Sequence, residues 1–159
     1  MLTAARGVLP LPWDPPMPIR IVLADPHSSY RRVVSELIDS AEDMVVAGEA
    51  RDGHDALLVT ALARPDLVIL EMAMPRVDGL QACRRIRAAN NRVQVLALTL
   101  HNDSCYVQGM LAAGALGYVL KQDAFAHLLA AVREVAQGRP YLSPSLSGEF
   151  VHGALPVSS

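Results

Sequence analysis

Short apolar runs alternate along most of the chain with longer segments of helical periodicity. Apolar residues in the longer segments recur at three- and four-residue spacing, which predicts five amphipathic helices. The short runs predict five buried β-strands, at 19–23, 44–47, 67–70, 93–98 and 115–120. Strands that are apolar at nearly every position are buried on both faces, so we expect a parallel sheet sandwiched by helices.

The helices have recognisable start and stop signals. Ser28 or Ser29 is expected to cap the first helix, and Asn102 or Asp103 the fourth. Gly138 is expected to end the fifth helix.

The two ends of the chain differ in composition from its middle. Residues 1–18 contain five prolines and predict a flexible extension, within which Met17 is an alternative start that would leave residues 1–16 unexpressed. Residues 139–159 are rich in Ser, Pro and Gly and predict a linker-like tail. We therefore expect one domain over 19–138.

Composition narrows the classes of function. The 159 residues are 52% hydrophobic, which excludes disorder throughout. The net charge of −2 argues against nucleic acid as an obligate partner, and no apolar run approaches the length needed to span a membrane. Cys83 and Cys105 are too few for a disulfide scaffold, so we expect a reducing, cytoplasmic setting.

Four polar residues follow predicted strands. Asp25, Glu71, Thr99 and Lys121 come at the ends of the first, third, fourth and fifth strands, and Lys121 is the only lysine among 14 basic residues. Function in an open parallel sheet gathers at the carboxyl ends of its strands, so all four are expected on one edge. Their separations depend on strand order, which the hydrophobic pattern leaves open.

Four segments carry a family resemblance: IRIVLADPH, RPDLVILEMAMPRVDGL, VQVLALTLHND and AGALGYVLKQDAFAHLLAAVREVAQGRPYLSP. As an ordered set, from about residue 19 to residue 143, they resemble the receiver domain of two-component response regulators, in the branch that usually carries a C-terminal LuxR-type helix-turn-helix. The resemblance implies a flavodoxin-like (βα)5 fold, a three-layer sandwich with strand order 2-1-3-4-5. It also implies a phosphorylation pocket and a role in phosphorelay signalling.

The resemblance is incomplete in that pocket. Asp25 matches the first acid of the Mg²⁺-binding pair, whereas Pro26 stands at the second and offers no side-chain oxygen. Glu71 stands at the phosphoacceptor aspartate, and the carbonyl of Ala73 would be the remaining metal ligand. Since Mg²⁺ requires near-ideal octahedral oxygen coordination, we expect weak or no Mg²⁺ binding by Asp25, Glu71 and Ala73.

Other pocket positions are kept. Thr99 matches the hydroxyl that binds the phosphoryl group, Lys121 the lysine that pairs with it, and Tyr118 the aromatic whose rotation accompanies activation. We therefore interpret the chain as a pseudo-receiver, not an enzyme, in which Glu71 pairs with Lys121 and Thr99 is a candidate hydrogen-bond donor. Glu71 then either mimics the phosphorylated state in part or simply fills the pocket.

The resemblance also suggests partners. The region Asp103–Gln137 matches the face that commonly carries dimer or partner contacts, so we expect a homodimer or a protein partner, and a small-molecule effector is a further option. Alternatively, the chain is the N-terminal regulatory part of a transcriptional regulator, which would contact DNA only through a domain that this chain does not contain. A flavodoxin-like enzyme would need a nucleophile–base pair or cofactor loop, and neither motif is found in the sequence.

Overall fold

The computed structural model describes residues 17–146. Most of the proline-rich extension and residues 147–159 of the predicted tail lie outside the described part, so those two predictions are not tested there. The elements in chain order are β1 Ile19–Ala24, α1 Ser28–Asp39, β2 Met44–Ala50, α2 Gly53–Ala63, β3 Leu67–Leu70, α3 Gly79–Ala89, β4 Gln94–Thr99, α4 Ser104–Ala112, β5 Gly117–Leu120, α5 Ala124–Ala136 and β6 Tyr141–Leu142.

All neighbouring strands are parallel, in the order β2-β1-β3-β4-β5-β6. The flavodoxin-like fold and the order 2-1-3-4-5 are thus confirmed, with one strand added. The register pairs Ala24 with Leu70 and Thr99 with Leu120, so β1 and β3, and likewise β4 and β5, end level with each other. The residues that follow these strands are therefore brought to one edge.

The sheet is buried on both faces, as its apolar strands predict. Val22 and Ala24 belong to the hydrophobic cluster shared with α2, α3 and α4, whereas Ile21 and Leu23 belong to the cluster shared with α1 and α5. Successive residues of a strand point to opposite faces, and each of these four is at most 1% exposed. No helix between residues 17 and 146 is long and apolar enough to cross a membrane.

The first residues of the expected tail pack onto the domain. Tyr141 and Leu142 form β6 beside Gly117 and Tyr118 of β5, and Leu146 is only 2% exposed. The five expected strands are all present, and the sheet has this one short strand in addition. The segment is rich in Ser, Pro and Gly, so its composition predicted a linker, although its few apolar residues pack against the domain.

The helix ends agree with the sequence in part. The residue before α1 is His27, and Ser28 is already helical, so the predicted serine cap is wrong. Asp103 does precede α4, although its side chain makes no capping hydrogen bond. Gly138 follows α5 with a φ of 82°, the left-handed conformation that favours glycine at a helix end.

Candidate functional site

Three of the four residues expected at the sheet edge meet in one ion cluster. The Nζ atom of Lys121 lies 2.7 Å from Oδ2 of Asp25 and 2.8 Å from Oε2 of Glu71. The side chains of Lys121, Asp25 and Glu71 are 9%, 3% and 6% exposed. We call these three residues the lysine cluster; one ammonium group is shared there between two buried carboxylates.

The second oxygen of Glu71 bonds back to its own loop. Oε1 accepts hydrogen bonds from the backbone N–H groups of Met72, at 2.7 Å, and Ala73, at 3.2 Å. The close approach of α3 shapes this loop, because a Cβ on Gly79 would lie 2.3 Å from the carbonyl oxygen of Glu71. Both carboxylate oxygens of Glu71 are thus held by donors.

Asp25 is fixed by the residues that follow it. Its Oδ1 accepts a hydrogen bond of 2.8 Å from the His27 backbone N–H and lies 3.1 Å from His27 Nδ1. Arg31 donates to the backbone carbonyl of Asp25 at 2.6 Å and also pairs with Glu49. The turn from β1 into α1 therefore positions the carboxylate.

The environment of Lys121 favours its charged form. Burial alone would lower the pKa of Lys121, but hydrogen bonds to Asp25 and Glu71 outweigh burial and raise the pKa above its ordinary value. Nζ also lies 4.2 Å from the ring centroid of Tyr30, within the range of a cation–π contact. Burial raises the pKa of Tyr30, which keeps its hydroxyl neutral.

Thr99 and Tyr118 contact the loop after β4 rather than Glu71. Thr99 is completely buried, and its Oγ1 accepts a long hydrogen bond of 3.4 Å from the His101 N–H. A bond from Thr99 to Glu71, which the sequence suggested, is not found among the described residues. Tyr118 is also completely buried and donates to the carbonyl oxygen of His101 at 2.7 Å. Burial raises the pKa of Tyr118, with Glu71 acting in the same direction.

The donor set does not fit the Mg²⁺ ion that the family resemblance implies. Pro26 supplies no side-chain oxygen, and the carboxylates of Asp25 and Glu71 are both engaged by Lys121. Within residues 17–146, no group of three or more His, Cys, Asp or Glu side chains is arranged to hold a metal ion. Ala73 lies beside Glu71, but one carbonyl does not make an octahedral site.

A second set of contacts links the pocket edge to the C-terminal segment and was not predicted. Ser143 and Ser145 both donate to Oδ2 of Asp123, which lies two residues after Lys121. The Ser143 hydroxyl also accepts a hydrogen bond from the Leu120 N–H at 3.2 Å. Leu120, Asp123 and Ser143 all fell within the family resemblance, but no spacing rule connects Ser143 with Asp123.

Comparison with known proteins agrees with this fold. The profile of the response regulator receiver domain family matches residues 21–133. The oxygen regulatory protein NreC of Staphylococcus epidermidis is 38% identical over 139 residues, which cover 84% of this chain and 64% of that protein. The uncharacterized transcriptional regulatory protein YxjL of Bacillus subtilis is 35% identical over 120 residues, 76% of this chain and 55% of that protein.

A solved structure shares both the fold and the branch. The two-component response regulator of the LuxR family from Aurantimonas sp. SI85-9A1 superimposes with a TM-score of 0.81 at 30% identity, over 84% of this chain and 96% of that one. The chain spans 64% and 55% of the lengths of the NreC and YxjL relatives. The chain belongs to the family of response regulator receiver domains, the signalling modules of two-component systems, and its relatives lie in the LuxR branch.

Proposed function

We propose that the chain is a pseudo-receiver, which regulates by binding partners and does not accept a phosphoryl group. The lysine cluster is the observation that carries the proposal. Lys121 is held between Asp25 and Glu71 at 2.7 and 2.8 Å, with Glu71 at the position of the family's phosphoacceptor aspartate.

The position of Glu71 argues against phosphoryl transfer. Glutamate is one methylene longer than aspartate, so its attacking oxygen is displaced by about 1 Å, and a displacement of that size can cost about 100-fold in rate. One oxygen of Glu71 accepts two backbone hydrogen bonds and the other contacts Lys121, which further reduces its nucleophilicity. Weak Mg²⁺ binding, proposed from Pro26, would remove the metal that such transfer needs.

Glu71 instead holds the pocket in one state. Its carboxylate supplies part of the charge of a phosphoryl group and takes Lys121 as its partner. Tyr118 is held inside by the hydrogen bond to His101. A permanently fixed pocket would present a constant surface on the α4–β5–α5 face, where the exposed Tyr106 and Phe125 are available to a protein partner or a second copy.

Intact mass spectrometry after incubation with acetyl phosphate and Mg²⁺ tests this proposal. The natural chain is expected to gain no phosphoryl mass. The matched control is the Pro26→Asp, Glu71→Asp double variant, which restores both acids and is expected to gain one. Phosphorylation of the natural chain at Glu71 would overturn the proposal.

A second function is favoured by the relatives. The YxjL relative carries the description uncharacterized transcriptional regulatory protein, and the chain spans 55% of its length. On this proposal the chain is the N-terminal regulatory part of a cytoplasmic DNA-binding regulator. Sequencing the transcript from its coding locus tests this proposal: an in-frame helix-turn-helix after residue 159 supports it, and a stop codon there excludes it.

A further inference from the structure

A recess of about 640 Å³ lies between α2 and α3, remote from the lysine cluster. Leu57, Pro65, Ile86 and Val93 form its apolar lining. Pro65 precedes β3 and Val93 precedes β4, so the recess lies at the amino-terminal edge of the sheet, opposite Lys121. Its volume is within the range of small-molecule sites, about 300–1,000 Å³.

Small side chains on the two facing helices leave this space open. Ala61 of α2 and Ala89 of α3 are both exposed and line the recess from opposite sides. A larger side chain at either position would fill the recess without disturbing the core. Ile86 and Val93, at 3% and 4% exposed, form the buried part of the apolar lining, and Leu57 is half-buried.

The polar side chains that line the recess are Thr60, Arg64, Arg85 and Asn90, of which Asn90 accepts a hydrogen bond from the Arg92 N–H. Arg64 and Arg85 line it, and no ion pair of either side chain is found within residues 17–146. Thr60 is 9% exposed, and its hydroxyl is buried without a hydrogen-bond partner. None of the residues lining the recess is acidic.

The backbone of Arg64 has an unusual conformation. Arg64 ends α2 with a φ of 49° in the left-handed region, where glycine is the usual residue. A non-glycine residue there is unfavourable, and such strained positions are concentrated at functional sites. Together with Arg85, Arg64 gives one rim of an apolar recess two cationic side chains.

We propose that this recess binds a small organic anion, with a flat or branched apolar body and one carboxylate or sulfonate group. The apolar body packs on Leu57, Ile86 and Val93, and the anionic group pairs with Arg64 and Arg85. The competing explanation is that the two arginines act only on the negative ends of the α2 and α3 dipoles, since both helices end here. The two explanations differ in what happens to ligand binding when one charge is removed.

Fluorescence titration of the full chain with 8-anilinonaphthalene-1-sulfonate tests the proposal, since this probe is an aromatic anion. N-phenyl-1-naphthylamine serves as its neutral counterpart. Ala89→Trp, which fills the recess at an exposed position, is expected to abolish binding of both probes. Arg85→Gln is expected to weaken binding of the anionic probe by about threefold to fivefold and to leave the neutral probe unchanged.

Arg84→Gln is the matched control, because Arg84 is exposed on the same helix but does not line the recess. It is expected to leave both titrations unchanged, and thermal unfolding must show all variants folded. Equal effects of Arg84→Gln and Arg85→Gln, or binding that survives Ala89→Trp, would overturn the proposal. A probe signal that follows self-association in sedimentation velocity would also overturn it, since the recess would then be an interface.

Discussion

Two ion clusters in this domain have similar distances and opposite surroundings. Lys121 lies 2.7 Å from Asp25 in the buried lysine cluster, and Arg133 of α5 lies 2.7 Å from Asp43 on the surface. The side chains of the surface pair are 46% and 44% exposed, against 9% and 3% for Lys121 and Asp25. Distance alone therefore says little about what an ion pair contributes to stability. Solvent screens the attraction between the exposed partners, whereas removal of one buried partner leaves a desolvated charge without a counterion.

The largest effect is expected from removing the ammonium group of the buried cluster. Lys121→Met keeps most of the length of the side chain but leaves Asp25 and Glu71 facing each other without a cation. Breaking a buried pair in this way costs about 3–5 kcal/mol, so the free energy of unfolding should fall by about 3 kcal/mol or more. Urea denaturation measures the change, and a loss below about 1 kcal/mol would mean that the cluster is solvated in solution.

The pH dependence of stability should differ in direction between the two sites: the contribution of Lys121 is lost at high pH, and that of Asp43 at low pH. The pKa of Lys121 is raised, so its contribution to stability is complete below its ordinary pKa and is lost as the pH rises through the raised value. The pKa of Asp43 is lowered by its hydrogen bond to Arg133, so that contribution is present above its ordinary pKa and is lost as the pH falls through the lowered value.

Unfolding free energies measured across pH in three chains test this difference. The natural chain should lose stability above about pH 10.4, the ordinary pKa of lysine, and Lys121→Met should show less of this loss. The buried Tyr30 and Tyr118, whose pKa values are also raised, contribute a loss of the same sign and remain in the variant. Arg133→Ala should change only the loss of stability at acid pH. An unchanged alkaline limb in Lys121→Met would contradict the assignment to Lys121.

The smallest effect is expected at the surface pair. Arg133→Ala removes a two-bond contact with Asp43, but exposed pairs contribute below about 1 kcal/mol. The difference between Arg133→Ala and the natural chain should shrink further as salt is added. A cost that equals that of Lys121→Met would remove the distinction between the two clusters.

The sequence predicted the gathering of the lysine cluster because strand ends in a parallel sheet share an edge. It could not predict the partners that come from helix packing, such as the Tyr30 ring over Lys121. It also placed Thr99 near Glu71 as a donor. In the structure, one Glu71 oxygen instead accepts the N–H groups of Met72 and Ala73, a local arrangement that motif matching does not reveal.

Strand β6 was also missed because it depends on packing against the domain, which motif matching does not reveal. Tyr141 and Leu142, two residues of ordinary composition, pair with Gly117 and Tyr118 of β5. Neither the length nor the periodicity of such a short strand distinguishes it from a linker. The order of strands β1 to β5 was predictable, whereas the short strand β6 at the edge of the sheet was not.

Strand β6, which covers the outer side of β5, also affects the solubility of the domain. β5 is apolar and buried along its whole length, and without a neighbour it would present a row of unpaired backbone groups to other molecules. The two residues Tyr141 and Leu142 occupy that side of β5, and the Ser143 hydroxyl receives the Leu120 N–H. The short strand thus guards the sheet against edge-to-edge aggregation, and a chain cut before Tyr141 would lose this protection while keeping every residue of the pocket.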